Sequence, residues 1–144
     1  MNEPIAGRSF RDQAVPESIE TVHILLDELW ADAPFVPEMD RMTFATAVIE
    51  AASNIVQHAR PEFPTPVELG VDISVRTHSL RAEISAFGAI DPQLDTGAQG
   101  MPGPEAESGR GLALIRALVS TVTFARQDGT NTWVLSRDST PHPY

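Results

Sequence analysis

The chain has 144 residues, 42% of them hydrophobic, which suits one domain around one core, and a formal net charge of −10 that repels a nucleic-acid backbone. It contains no cysteine, which excludes disulfides, thiolate metal sites and cysteine nucleophiles, and all ten basic residues are arginine. Without lysine there is neither a Walker A loop nor a Schiff base, so phosphate must be met by backbone amides and arginine. Apolar runs fall short of a bilayer span, and the start from Met1 to Pro4 lacks the basic end and apolar core of a signal peptide. The expectation is a soluble, cytoplasmic protein without membrane attachment or a direct nucleic-acid ligand.

Residues 5–14 are too short and mixed to assign from pattern alone. Val15, Pro16, Glu17 and Ser18 then form a helix-start signal, and Ile19, Val22, Leu26, Leu29 and Trp30 recur on one side, which predicts a first helix over 17–31. His23 has no second ligand one turn away and reads as a surface histidine. Prolines 34 and 37 break the chain, and Glu38, Met39 and Asp40 open a second helix that Pro61, Pro64 and Pro66 close.

The second helix carries two lines of residues. Met42, Ala45, Ile49, Ala52, Val56 and Ala59 recur in steps of three and four and are expected to face the core. Glu50, Asn54 and His58 step by four along another flank. A solvated face explains such a line, but Asn54 is a mediocre helix former with no capping task at mid-helix. A carboxylate one turn before a carboxamide can orient a water or hydroxyl beside an oxygen ligand for a hard cation such as Mg²⁺.

Residues 67–75 and 80–86 alternate apolar and polar side chains about a turn at 77–79, a hairpin with one buried face on which Leu80, Ala82, Ile84 and Ala86 lie together. From Gly88 to Ser108 regular pattern gives way to glycine, proline and acidic residues, which predicts a cover over 92–108 rather than a packed element. Ser108 to Val119 is a glycine-flanked helix start with Leu112, Ile115 and Leu118 or Val119 as its core stripe. There Gly109 and Gly111 let backbone amides approach an anion, with Arg110 adding charge. Residues 121–124 and 132–135 form a closing hairpin around the Asp128-Gly129 turn signal, and 138–144 is expected to be a frayed tail. The order of elements predicts an α/β two-layer sandwich: a mixed, mostly antiparallel sheet with helices on one face, one domain over 1–144 with its core over about 10–137.

Glu50, Asn54, His58 and Ala59 resemble the N-box of the GHKL (Bergerat-fold, histidine-kinase-like) ATPases. The stretch from Gly109 to Arg116 resembles their G2 box, in the form found in anti-sigma-factor serine kinases. The resemblance implies an edge strand within residues 5–14, a lid over 92–108, and ATP and Mg²⁺ as cofactors. It implies Glu50 as base, Asn54 as Mg²⁺ ligand, and nucleotide contacts from Asn54, His58, Gly88, Gly109, Arg110, Gly111, Leu112 and Thr132. As partners it implies a sigma factor, an anti-anti-sigma protein of the STAS type that is phosphorylated on serine, and a second copy of the chain in a homodimer. The sequence departs from the family at the G1 box, where the adenine-contacting Asp is Ala86, Gly88 matches and the second glycine is Ile90. Ser85 alternates to the opposite face. A partner-binding regulatory module with weak or no nucleotide binding therefore stands beside the kinase as a second reading.

Overall fold

Proline at position 16 sets the entry of the first helix, and the computed structural model, which describes residues 4–92 and 107–139 and only the backbone over 107–112, places it where the signal predicts. In chain order the elements are β1 (Ala6–Gln13), α1 (Glu17–Asp32), α2 (Glu38–His58), β2 (Glu68–Val75), β3 (Ser79–Phe87), α3 (Glu107–Leu118), β4 (Thr121–Gln127) and β5 (Thr130–Asp138). Ser18 ties α1 to the strand before it: its hydroxyl donates to the Gln13 carbonyl at 2.6 Å and accepts from the Val15 amide at 3.1 Å. Acidic Glu38 and Asp40 in the first turn of α2 complement the positive end of the helix dipole.

The five strands run in the order β1-β2-β3-β5-β4, and all four pairings are antiparallel. The sheet is thus the fully antiparallel limit of the expected architecture, with the helices on one face. Alternation decides what that face carries: Leu69, Val71, Ile73 and Val75 of β2, Leu80, Ala82, Ile84 and Ala86 of β3, and Leu135 of β5 are buried beneath the helices. Val22, Leu25, Leu26 and Leu29 of α1 complete the core.

The core stripe of α2 is rotated from the one expected. Phe44, Ala47, Val48, Ala51, Ala52 and Ile55 are the buried residues, whereas Met42 is 59% exposed and Ala45, Ile49, Val56 and Ala59 are only partly buried at the edge of the core. Each residue advances about 100° around a helix, so a stripe displaced by one position lies on a neighbouring flank. Phe44 supplies the reason: fully buried and edge-on to Trp30 at 6.2 Å, it turns its own flank onto the sheet.

Asp40 joins three elements. It accepts from Arg137 Nε and Nη2 of β5 at 3.1 and 3.0 Å and from the Ser139 hydroxyl at 2.7 Å, while Arg137 Nη1 donates to the Leu118 carbonyl at the end of α3. The start of α2 is therefore fastened beside the end of α3, and the two helices lie antiparallel. That brings the half of α2 carrying Asn54 and His58 toward the start of α3.

Candidate functional site

A cavity of about 210 Å³ opens between α2, α3 and the sheet. Asn54 and His58 line it from α2, Ile115 from α3, Ala86 from β3, and Asn131 and Trp133 from β5. Asn54 and His58 of the line on α2 and the turn after β3, separated in the chain by β2 and β3, thus meet at one place. Most of the wall is apolar, with Ala51, Ile55, Ile90, Val122 and Leu135 completing it.

The floor is built from a row across the sheet. Leu69, Ala86, Asn131 and Arg126 stand opposite one another on β2, β3, β5 and β4, and successive partners in an antiparallel row share a face. Asn131 is 2% exposed, and both ends of its carboxamide are engaged: Nδ2 donates to the Ile90 carbonyl at 3.0 Å, and Oδ1 accepts from Arg126 Nη1 at 2.6 Å. The same Nη1 donates to the Ala89 carbonyl at 2.8 Å, and Nη2 reaches Glu62 Oε2 at 3.3 Å. Backbone bonds from Ile90 to the Arg60 carbonyl (2.8 Å) and from Glu62 to the Gly88 carbonyl (2.9 Å) bind the turn to the chain leaving α2. The loop after β3 is therefore held from two sides, by side chains of the closing hairpin and by the backbone beyond α2.

The expected site residues fall in different places. Asn54 and His58 stand in the cavity wall, both half-buried. Glu50, one turn earlier and also half-buried, is not part of that wall. Gly109 and Gly111 lie in the first turns of α3, which begins at Glu107, so they stand inside the helix start rather than ahead of it. The side chains of Arg110 and Leu112, and residues 93–106 of the expected lid, lie outside the described residues, as do 140–144 of the expected tail.

One assignment is corrected. Thr132 faces away from the cavity: it pairs with Ser85 across β3 and β5, and their hydroxyls are 3.0 Å apart on the other face of the sheet. Alternation gives the cavity position on β5 to its neighbour Asn131. Gly88, like Glu50, is not part of the cavity wall. Its φ of 74° turns the chain out of β3, and its amide and carbonyl are engaged by Gly129 and Glu62, so backbone geometry accounts for the glycine. Sequence reasoning missed Asn131, Arg126 and Trp133. The signal for the first was present, since the period of two that places Trp133 and Leu135 on the apolar face also places a polar residue at 131.

The donor chemistry bears on which groups could bind. Among the described residues no cluster of three or more His, Cys, Asp or Glu could cage a metal ion. Mg²⁺ seldom asks for one: it keeps several waters and takes substrate phosphates with one or two protein oxygens, which the single amide oxygen of Asn54 fits. The cavity is smaller than the roughly 300–1,000 Å³ of complete small-molecule sites, so it suits one end of a nucleotide. Most of the lining is apolar, and Ala86 offers no side-chain hydrogen-bonding group to it.

Residues 13–136 match the model of the histidine kinase-like ATPase domain. No curated protein matches. Among solved structures, the RsbU and RsbW domains of Rv1364c from Mycobacterium tuberculosis resemble the chain with a TM-score of 0.66 at 22% identity, covering 94% of this chain and 32% of that one. The catalytic domain of histidine kinase ThkA aligns with a TM-score of 0.51 at 12% identity over 94% of this chain and 99% of its own. This chain thus spans about a third of the first structure and nearly the whole of the second, and at these identities the likeness is one of fold.

Proposed function

Because the chain belongs to the histidine kinase-like ATPase domain family, we propose that it is an ATP- and Mg²⁺-dependent protein serine kinase of the anti-sigma type. It would bind a sigma factor, and the substrate of its kinase activity would be a STAS-type antagonist of that binding. The observation carrying the reading is convergence: Asn54 and His58 of α2, Ala86 and Ile90 at the end of β3, and Ile115 of α3 meet around one cavity. The stretch Gly109 to Arg116, which resembles the anti-sigma kinase form of the G2 box, supplies the choice of branch.

ATP·Mg²⁺, when bound, would supply the phosphoryl group. Asn54 would offer an oxygen to the cation, and the amides at the start of α3 would offer donors to phosphate oxygens. Glu50, half-buried one turn before Asn54, would take the proton of a serine hydroxyl arriving from a partner as that oxygen bonds to the γ-phosphorus and ADP leaves.

Glu50→Ala is expected to slow phosphoryl transfer to a cognate partner by about a hundredfold or more while leaving partner binding intact, since a positioned base acts in the transition state. Transfer of labelled phosphate, with partner binding measured in parallel, checks it. A variant that phosphorylates at the parent rate, or that unfolds, refutes the assigned role.

The second reading, a partner-binding module with weak or no nucleotide binding, is favoured by one observation: buried Ala86 stands where the resemblance puts the adenine-contacting Asp and offers no acceptor. The two readings separate on whether ATP with Mg²⁺ binds at all.

A further inference from the structure

We propose that β4 is a pairing edge for a second copy of this chain: two β4 strands, antiparallel and centred on Phe124, join two five-stranded sheets into one. A second copy is among the partners the resemblance implies, but the surface and its register come from β4 alone and do not depend on the kinase reading.

β4 ends the sheet, and among the described residues no strand lies beyond it. The two edges are guarded differently. β1 carries Arg8, Arg11 and Asp12, with Arg8 held by Glu28 and Asp32 of α1, and charges of this kind keep an edge from pairing. On β4, residues 121–125 are uncharged and rich in β-branched and aromatic side chains, without proline or glycine, and the guanidinium of Arg126 is taken up by Ala89, Asn131 and Glu62. Phe124, at the middle of the strand, is 40% exposed although its ring lies 4.8 Å from that of Trp133. Two copies of a chain with net charge −10 repel at long range, and an uncharged run on an open edge is where contact costs least.

The backbone fixes the register. The Gly88 amide donates to the Gly129 carbonyl at 3.0 Å, so by the alternation of an antiparallel ladder the N–H and C=O of Asn131 and Trp133 point to β3, and those of Thr130, Thr132 and Val134 to β4. Their partners Gln127, Ala125 and Thr123 are thereby engaged, which leaves the N–H and C=O of Val122, Phe124 and Arg126 directed to the open edge. All three outward residues find partners only when Phe124 faces Phe124 of the second copy and Val122 faces its Arg126. That arrangement is isologous, with the two-fold axis at Phe124 and normal to the sheet, so the helices of both copies stay on one face. It sets no like charges opposite each other, and it places the exposed Phe124 rings side by side, extending the contact with Trp133.

The chain contains no cysteine, so one introduced thiol reports the register. Phe124→Cys puts two thiols opposite each other at the axis, on Cα atoms about 5.5 Å apart, which a disulfide spans. Thr121→Cys puts them about 20 Å apart along the paired strands, too far to bridge. The unsubstituted protein is expected to sediment as a dimer over a concentration series. Phe124→Lys and Phe124→Glu are each expected to be monomeric, because like charges then face each other, and an equimolar mixture of the two to return to dimer. Under mild oxidation Phe124→Cys is expected to cross-link about tenfold faster than Thr121→Cys, or more. A monomeric unsubstituted protein overturns the proposal, and so does a mixture of the charged variants that stays monomeric. A dimer that survives Phe124→Lys, or equal cross-linking at the two positions, overturns it as well by placing the interface elsewhere. Should the charged variants fail to fold, as judged by their melting curves, the cross-linking comparison decides alone.

Discussion

Arg126 shows why the absence of lysine matters at the level of one side chain. Its guanidinium meets the Ala89 carbonyl, the Asn131 carboxamide and the Glu62 carboxylate together, a spread that a planar fork of five N–H donors can reach and a compact ammonium cannot. Arg126→Ala leaves a buried amide oxygen without its charged donor, and each such loss costs about 1–3 kcal/mol. A loss of about 2 kcal/mol and a melting temperature lower by about 6–10 °C are expected, with Arg126→Lys recovering only part of it. Thermal melts followed by circular dichroism check this, and a melt unchanged within about 1 °C would show that the network does not stabilise the loop. Residues of this kind were hard to read from the sequence because their partners are main-chain carbonyls of a segment without pattern. Thr132 was misassigned for a related reason: its residue type suited a polar contact, but its parity on β5 sends it to the other face.

Among the elements, the boundaries were the most legible part. Pro16 ahead of α1, the proline-rich stop after α2, the period-two hairpin and the Asp128-Gly129 turn, where both residues have positive φ, each announce local geometry through local chemistry. The orientation of α2 about its axis was not legible. The helix is apolar on so much of its circumference that two stripes of the right period fit it, and only the elements packed on either side choose between them. That choice can be measured. Phe44→Ala is expected to cost about 3–5 kcal/mol as a cavity in the core, whereas Met42→Ala should stay within about 0.5 kcal/mol at its exposed position. Urea unfolding of the two variants decides: comparable losses at both positions would refute the rotated stripe.

For the molecule as a whole, the two-layer plan followed from the sequence because each half-buried strand and amphipathic helix needs a partner layer, and few arrangements supply it. The strand order did not follow. That β5 rather than β4 lies against β3 rests on thirty or more intervening residues of chain and on pairs such as Ala86 with Asn131, which no local pattern encodes. The same long-range pairing assembles the cavity floor, so the part of the site on one helix could be read while the part across three strands could not.

The contact of Asp40 with Arg137 has a mechanical consequence. Through it the start of α2 and the end of α3 are clamped to β5, while Asn54 and His58 stand in the cavity wall at the opposite end of α2. A pair of levers pinned at one end moves least at the pin and most at the tip, so separation of the helices would be a pivot about Asp40 rather than a parallel slide. Hydrogen exchange should accordingly rise from slow amides around 42–46 and 115–119, beyond the unbonded first turn of α2, to faster ones around 54–58. Asp40→Ala, by removing the pin, should flatten that gradient, with the gain in exchange falling at the clamped ends. A uniform profile in the unaltered protein would mean that the helices move as one rigid layer, with no fulcrum between them.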